Sequence, residues 1–190
     1  MRTKVASERC GPPDPDGRMS ASMMQDNDSA AHAGKSDDWA EVQAATVIDC
    51  PPETVFSFAC DPCNDVRWLT SVGETQKLTP GSIGLGSRFR QFPIFLGVPV
   101  AVEWEVVAFV AGRHMRGRSV AGAFTFVRGY DCEPVGSATR ITKVIKLHLP
   151  VVAAFVTRGA ADALLSRSAE RALERLKILL ERSAAQHHAT

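Results

Sequence analysis

One stretch of the sequence carries apolar and polar side chains that together could hold a small molecule. Phe124, Phe126, Arg128 and Tyr130 occupy alternate positions, and alternate side chains of a β-strand point to the same face of its sheet. We expect the two phenylalanines to form an apolar wall, with Arg128 and Tyr130 as polar contacts. A buried guanidinium needs a partner or an anionic ligand, and the alternative is a position of Arg128 near the mouth of the cavity.

Proton-transfer chemistry on this face would need an acid or a base there. The candidates are His148, Tyr130, Arg128 and Glu105. Histidine titrates near neutral pH, but His148 lies at the end of a predicted strand, where solvated side chains are common. Glu103 and Glu105 flank Trp104, so alternation places both carboxylates opposite the indole. We expect Trp104 to face inward and both glutamates to face solvent, which leaves catalytic residues unassigned.

Cys60 and Cys63 have the C-x-x-C spacing of redox and zinc-binding motifs. A redox pair needs a helix that begins at its first cysteine, whereas the pattern here predicts a helix that ends there. A zinc site of this kind needs a second pair, and none follows. The five histidines show no metal-binding spacing. We therefore expect a structural role for both cysteines, no metal and no cofactor.

A basic segment contains Arg113, Arg116 and Arg118 and could contact an acidic partner. As a strand it directs Arg116 and Arg118 outward together with His114, and no aromatic residues interleave with the basic ones. The formal net charge is only +1, which also argues against electrostatic binding of nucleic acid. Nucleic acid is not an expected partner.

The elements that position these residues begin with a predicted strand at 39–49. Two prolines, Pro51 and Pro52, then open a short helix over 53–59, because proline is favoured in the first helical turn. Asn64 is placed to cap a second short helix, predicted over 65–70.

Six further strands and one long helix complete the chain. The predicted strands are 74–78, 86–92, 100–110, 114–120, 123–132 and 138–149. The apolar segment Pro93–Pro99 is predicted to be a loop near a cavity rim, because prolines and glycine interrupt it. Val151–Arg182 has helical period, and small residues crowd its first half, which predicts that this half borders a cavity.

The order of elements indicates an α+β fold in which a curved antiparallel sheet of about seven strands wraps around the C-terminal helix. The predicted domain spans 39–185. Residues 1–38 contain no Ile, Leu, Phe, Tyr or Trp, so they and the tail 186–190 are predicted to be disordered. The sequence shows no apolar signal segment and no stretch of ~20 apolar residues. We therefore expect a cytoplasmic protein without stable membrane insertion.

Four short stretches follow a recognisable order of motifs. They are Ile48–Phe56 (I-x-x-P-x-E-x-V-F), Asp61–Trp68 (D-P-x-N-x-x-x-W), Gly84–Phe89 (G-x-G-S-R-F) and Gly136–Ile141 (G-x-x-T-R-I). In this order the chain resembles the polyketide cyclase/dehydrase and lipid-transport family of the START-like superfamily. The resemblance spans about residues 41–182 and implies the helix-grip fold with an internal apolar cavity. It implies no shared catalytic triad.

Fold and residues together predict binding or transport of a small hydrophobic molecule, such as a lipid, polyketide or isoprenoid. The expected lining is Trp68, Phe89, Trp104, Phe124, Phe126, Phe155 and Gly159, with Arg128 and Tyr130 as polar contacts. Two alternatives stay open: a polyketide cyclase or dehydratase with lyase-like chemistry, and a ribosome-associated or other interaction module. We favour the hypothesis that the protein binds its ligand without catalysing a reaction. The sequence leaves ligand identity and oligomeric state open.

Overall fold

The computed structural model of the chain describes residues 39–95, 97–148 and 158–188, which form eight β-strands and three α-helices. In chain order the elements are β1 (Trp39–Ile48), α1 (Pro52–Ala59), α2 (Asp65–Trp68), β2 (Val72–Lys77), β3 (Arg88–Phe95), β4 (Val98–Pro99), β5 (Val102–Val110), β6 (His114–Gly122), β7 (Thr125–Val135), β8 (Ala138–His148) and α3 (Arg158–His188). Among the described residues, no helix is both long enough and apolar enough to span a membrane.

The strands form one antiparallel sheet that curls into a half-barrel. Its order is β1-β8-β7-β6-β5-β3-β2, and the two-residue β4 pairs only with β3. Tyr130 of β7 pairs with Met115 of β6 on one side and with Lys143 of β8 on the other, and Lys143 in turn pairs with Ala44 of β1. These four side chains therefore share the concave face. The predicted helix-grip fold of the START-like type is confirmed.

Alternation along β5 decides which side chains enter the core. Val102, Trp104 and Val106 are at most 2% exposed, whereas Glu103 and Glu105 between them are half-buried on the convex face. The Trp104 ring lies against Gly117 of β6, where a Cβ would come within 2.5 Å of the ring atom Cε3. The opposite sides predicted for Trp104 and its glutamates are confirmed.

The segment Pro93–Pro99 is not the predicted loop. Pro93–Phe95 completes β3, and Val98–Pro99 turns back to pair with it as β4, while Leu96 lies outside the described residues. Pro99 is tolerated because β4 is an edge strand that pairs only with β3. Pro93 pairs with Val72 of β2, next to a register shift between the two strands. The carbonyl of Pro93 accepts a hydrogen bond from the Val100 amide at 2.8 Å.

The predicted cap of the second helix is wrong. Asn64 already has helical backbone angles, because a 3-10 helix at Pro62–Asn64 leads directly into α2, and a capping side chain requires an extended residue. The Asn64 amide instead donates to the Phe58 carbonyl at 3.2 Å. Asp61 supplies the cap, since its carboxylate accepts from the Cys63 amide at 2.9 Å.

The C-terminal helix extends beyond its predicted end at Arg182. Helix α3 continues to His188, so Gln186–His188 are helical and not a disordered tail. Neither glycine nor proline follows Arg182 to stop the helix. The predicted start at Val151 lies outside the described residues, as does the segment 1–38.

Candidate functional site

Arg128 lies on the concave face of β7 with its side chain only 10% exposed. Its Nη1 donates to Asp65 Oδ2 at 2.7 Å and to Gln91 Oε1 at 3.0 Å, and its Nη2 donates to the Tyr130 hydroxyl at 2.8 Å. The counter-ion is thus Asp65, the first residue of α2, which lies 63 positions earlier in the chain. We define these four residues together with Lys143 as the buried polar cluster.

Gln91 of β3 links the cluster to the rest of the sheet. Its Nε2 donates to Asp65 Oδ2 at 2.7 Å and to the Thr75 hydroxyl of β2 at 3.0 Å. Its Oε1 accepts from the Trp104 indole at 2.9 Å. Asp65 is fully buried, and its second oxygen, Oδ1, has no hydrogen-bond partner in the part of the chain that the structure describes. Buried oxygens without partners are rare in proteins, so this atom marks a site that packing alone does not explain.

The cluster holds Arg128 charged and Tyr130 neutral. Burial lowers the pKa of Arg128, but Asp65 and the tyrosine outweigh burial, so the pKa lies above its ordinary value. Burial raises the pKa of Tyr130, although the guanidinium opposes it. The Arg128 guanidinium also lies 4.9 Å from the Trp104 ring centroid, a favourable cation–π distance.

Lys143 is the functional residue that sequence reasoning missed. It is 6% exposed, and its Nζ lies 4.9 Å from the ring centroid of Trp68 and 6.0 Å from that of Tyr130. Burial, followed by the positive charge of Arg128, lowers the pKa of Lys143 to about 7, against an opposing contribution from Asp65. A signal was present in the sequence, because the lysine interrupts an alternating apolar series on β8.

The predicted aromatic residues separate into two groups, and the first forms the enclosed base of the site. Phe89 stacks on Trp104 with ring centroids 4.8 Å apart, and both are 0% exposed. Trp68 of α2 is 1% exposed and lies 5.8 Å from the Tyr130 ring. Phe89, Trp104 and Trp68 thus surround the cluster with aromatic rings. Phe89, Trp104 and Tyr130 are all 0% exposed.

The second group is only partly buried. Phe126 shares the concave face of β7 with Arg128 and is half-buried, as are Ile145 and Leu147 on the same face of β8. Phe124, just before β7, is also half-buried and packs edge-on against Phe95 at 5.2 Å. The concave face beyond Arg128 is therefore apolar and incompletely covered by the described residues.

Two predicted lining residues do not join the cluster in the described part of the chain. Phe155 lies outside the described residues. Gly159 is exposed in the first turn of α3, and a Cβ built there would meet no atom within 4 Å. Their predicted roles stay predictions.

Two acid–base candidates face away from the cluster. The Glu105 carboxylate is on the convex face, 3.4 Å from Arg118, and its neighbour Glu103 pairs with Arg90 at 2.6 Å. His148 packs against Trp39 at 5.0 Å, on the face of β8 opposite Lys143. Of the residues considered for proton transfer, Arg128 and Tyr130 lie on the concave face.

Arg116, Arg118 and His114 of the basic segment are paired with carboxylates on the convex face, whereas Arg113, just before β6, is exposed. Arg116 bonds to Asp131 at 2.5 Å, and the Nδ1 atom of His114 contacts the same carboxylate at 2.6 Å. Burial raises the pKa of Asp131, but its hydrogen bonds to Arg116 and His114 outweigh burial, and the pKa is lowered.

The C-x-x-C pair behaves as structural packing. Neither Cys60 nor Cys63 forms a disulfide. Burial, and then the proximity of Cys132, raises the pKa of the Cys60 thiol well above its usual range, which disfavours the reactive thiolate. Within the described ranges, no group of three His, Cys, Asp or Glu side chains could hold a metal ion.

The curled antiparallel sheet and the long C-terminal helix give this chain the START-like helix-grip fold. The sequence profile described as polyketide cyclase/dehydrase and lipid transport matches residues 40–181. The chain belongs to that family.

Solved structures share the fold at low sequence identity. A protein of Thermus thermophilus superposes with a TM-score of 0.64 at 22% identity, covering 75% of this chain and 98% of its own. A START superfamily protein from Mycobacterium smegmatis gives 0.64 at 16%, covering 75% and 97%. The Zhui aromatase/cyclase of a Streptomyces strain gives 0.63 at 12%, covering 77% and 96%. No curated protein matches the chain significantly in sequence.

Proposed function

We propose that the protein binds a small hydrophobic molecule on its concave face, with the buried polar cluster orienting the polar end of that molecule. One observation carries the proposal: polar groups that lack partners among the described residues lie next to an apolar part of the concave face that is only partly buried. Asp65 Oδ1 and the Trp68 indole nitrogen lack hydrogen-bond partners, and the buried Lys143 amine has none among the described residues. Ligand sites typically combine apolar walls with a few convergent polar groups.

The apolar wall would supply most of the binding free energy. Phe126, Ile145 and Leu147 are half-buried side chains of the concave face, and covering apolar surface contributes roughly 25 cal/mol per Å². The deeper rings of Phe89 and Trp104 would act as a rigid floor beneath the ligand. The ligand class that fits is a lipid, polyketide or isoprenoid with one polar end.

Cyclase or dehydratase chemistry is the alternative function. It needs a proton donor or acceptor within ~3 Å of a bound carbonyl. Arg128 and Tyr130 are on the correct face, but the tyrosine is 0% exposed and its hydroxyl already accepts from the guanidinium. The binding function needs no rearrangement of this pair, and we therefore favour it.

The test is native mass spectrometry of the purified full chain, followed by organic extraction. We expect a co-purified apolar molecule, or stabilisation by a panel of long-chain alcohols, acids and polycyclic aromatics. A ligand at 100 times its Kd adds about 2.7 kcal/mol to stability. Phe126→Asp places a charge on the wall and should abolish the effect. Leu85→Asp, at a residue that is 73% exposed, should leave it intact.

Two results would overturn the proposal. One is an empty protein whose melting temperature does not respond to any compound of the panel. The other is equal ligand binding by wild type and the folded Phe126→Asp variant, because the concave face would then not be the site.

A further inference from the structure

The Lys143 side chain lies on the concave face, and its amine has no counter-ion among the described residues. No hydrogen bond or ion pair joins it to any of the described residues, and its surroundings are the rings of Trp68 and Tyr130. The carboxylate that acts on it electrostatically, Asp65, bonds through Oδ2 to Arg128 instead. Lysine side chains are usually paired or extended into solvent, whereas Lys143 is only 6% exposed and has no ion-pair partner among the described residues.

We propose that Lys143 forms a reversible imine with the aldehyde or ketone group of an apolar ligand. This inference rests on the proposed ligand-binding function and names the chemical class of the ligand. The half-buried side chains of Phe126 and Leu147 lie on the same concave face and would hold the alkyl or aryl part of such a carbonyl compound.

The electrostatic surroundings favour the uncharged amine that this reaction requires. An ordinary lysine with a pKa near 10.4 is uncharged in fewer than about one molecule in a thousand at neutral pH. The pKa of Lys143 is lowered to about 7, mainly by burial and then by Arg128. The groups that face it are Arg128 and Tyr130 from β7 and Asp65 from α2. Desolvation next to another cation is an established way to activate a lysine nucleophile.

The reaction needs no oxidant, reductant or co-reactant. The Nζ lone pair forms a bond to the carbonyl carbon while the carbonyl π electrons move to oxygen. A proton then passes from nitrogen to that oxygen and gives the carbinolamine. The C–O bond breaks, the nitrogen loses its second proton, and one water molecule leaves as the C=N bond forms.

A ligand carboxylate is the competing occupant. It would require the charged ammonium, which burial and the neighbouring Arg128 both disfavour. An imine keeps the site free of an additional charge when it is unprotonated. The carbonyl ligand is therefore the better match, and the experiment below separates the two.

The experiment treats the full chain with decanal and then with sodium borohydride, which reduces an imine to a stable secondary amine. Peptide mapping then locates the added decyl group. Lys146 is an internal control on the same strand, because its side chain is 39% exposed and pairs with Glu41. At pH 7 we expect labelling of Lys143 to be at least about tenfold faster than labelling of Lys146. Its rate should reach half-maximum near pH 7.

Lys143→Arg keeps a long basic side chain but removes the nucleophilic amine, so the decyl adduct at this site should disappear. Lys146→Arg should retain the adduct. Decanol, which cannot form an imine, should still stabilise wild type and Lys143→Arg equally. If Lys143→Arg does not fold, the wild-type protein still tests the proposal, because the labelling rates of Lys143 and Lys146 can be compared within it.

Three results would overturn the imine. They are labelling of Lys143 no faster than Lys146, an adduct that persists in Lys143→Arg, and stabilisation by decanoate without any adduct from decanal. Decanol binding without an adduct would reject the imine and leave the proposed function standing. Loss of both decanol and decanal binding would reject the proposed function as well.

Discussion

At the scale of single residues, the site depends on one buried ion pair and one buried amine. Arg128 and Asp65 satisfy each other through a 2.7 Å contact, whereas Lys143 has no such partner among the described residues. Removing one member of a buried pair leaves an uncompensated charge, which costs far more than the pair itself contributes. The two arrangements therefore predict opposite responses to mutation.

Arg128→Met should destabilise the fold by about 3–5 kcal/mol, because it leaves the buried Asp65 carboxylate without a counter-ion. Asp65→Asn strands the guanidinium, and the double variant should be less destabilised than the sum of the two single variants by at least ~1 kcal/mol. Urea unfolding measures the cycle. The exposed pair Arg118 and Glu105, 3.4 Å apart, is the control and should couple by only ~0–1 kcal/mol. Similar coupling in both pairs would contradict the prediction.

Lys143→Met should stabilise the protein at neutral pH, and the gain should shrink as pH rises. The folded pKa is about 7 and the unfolded pKa is about 10.4. The unfolded chain thus binds the extra proton between these values, and the stability of the wild type increases with pH across that window. The gain should be on the order of 4 kcal/mol at pH 7, at 1.36 kcal/mol per pKa unit.

Urea unfolding of wild type and Lys143→Met at several pH values between 6 and about 10 provides the measurement. The groups around the amine, Arg128, Tyr130 and Asp65, are present in both proteins, so their titration cancels in the difference. A difference that does not change with pH would show that the lysine is charged or solvated in the folded state.

Gly117→Ala should cost about 1–3 kcal/mol through overpacking. A Cβ there would lie 2.5 Å from Cε3 and 2.6 Å from Cζ3 of Trp104, so the indole would have to move off its stack with Phe89. Near-UV circular dichroism should report the displaced ring. Gly84→Ala is the matched control, because a Cβ at Gly84 meets no atom within 4 Å. Equal stability of the two variants would contradict the contact.

At the scale of elements, residues of the family motifs form turns and hydrogen bonds that connect strands and helices. Gly86 and Gly136 both have positive φ angles, of 79° and 63°, a backbone conformation that favours glycine. Thr139 is fully buried, and its hydroxyl donates to the Cys50 carbonyl at 2.7 Å, which joins β8 to the segment before α1. The Lys177 amine donates to the Val47 carbonyl at 2.7 Å and so joins α3 to β1. These contacts join elements of the scaffold, whereas the motif Asp61–Trp68 also supplies Asp65 and Trp68 to the candidate site.

The two halves of α3 should respond differently to truncation. Leu176 is 0% exposed in the second half, whereas Leu164 in the first half is 62% exposed. Leu176→Ala should therefore cost about 2–5 kcal/mol, and Leu164→Ala should stay within about 0.5 kcal/mol of wild type. Urea unfolding distinguishes them. A large loss from Leu164→Ala would mean that the first half carries packing that its exposure conceals.

At the scale of the whole molecule, one sheet and one helix enclose a core that stops short of the outer concave face. The core residues between sheet and helix include Trp104, Leu173 and Leu176, all at most 1% exposed. Phe126 and Leu147 farther along the same sheet face are only half-buried. We expect a bound molecule to complete the burial of this face.

The described fold should not need the N-terminal segment. A chain that begins at Ser36, just before β1, should unfold at the same urea midpoint and with the same m-value as the full chain, because the preceding residues lack the large apolar side chains a core requires. It should also bind the same apolar ligands. A lower midpoint would assign a structural role to residues 1–35.

The sequence by itself determined the order of elements and the two faces of β5 and β7, because side chains alternate along a strand regardless of its partners. Trp104 inward, Glu105 outward, and Phe126, Arg128 and Tyr130 on one face could all be derived in this way. Only the tertiary structure decided that Asp65 neutralises Arg128, because the two residues are 63 positions apart in the chain and meet only when α2 packs against the sheet. It also decided that Lys143 is buried opposite Tyr130, because strand pairing and enclosure are set by contacts between distant segments. The face on which each strand residue lies could thus be predicted from the local sequence. The charge pairing within the site could not, because it depends on contacts between distant segments.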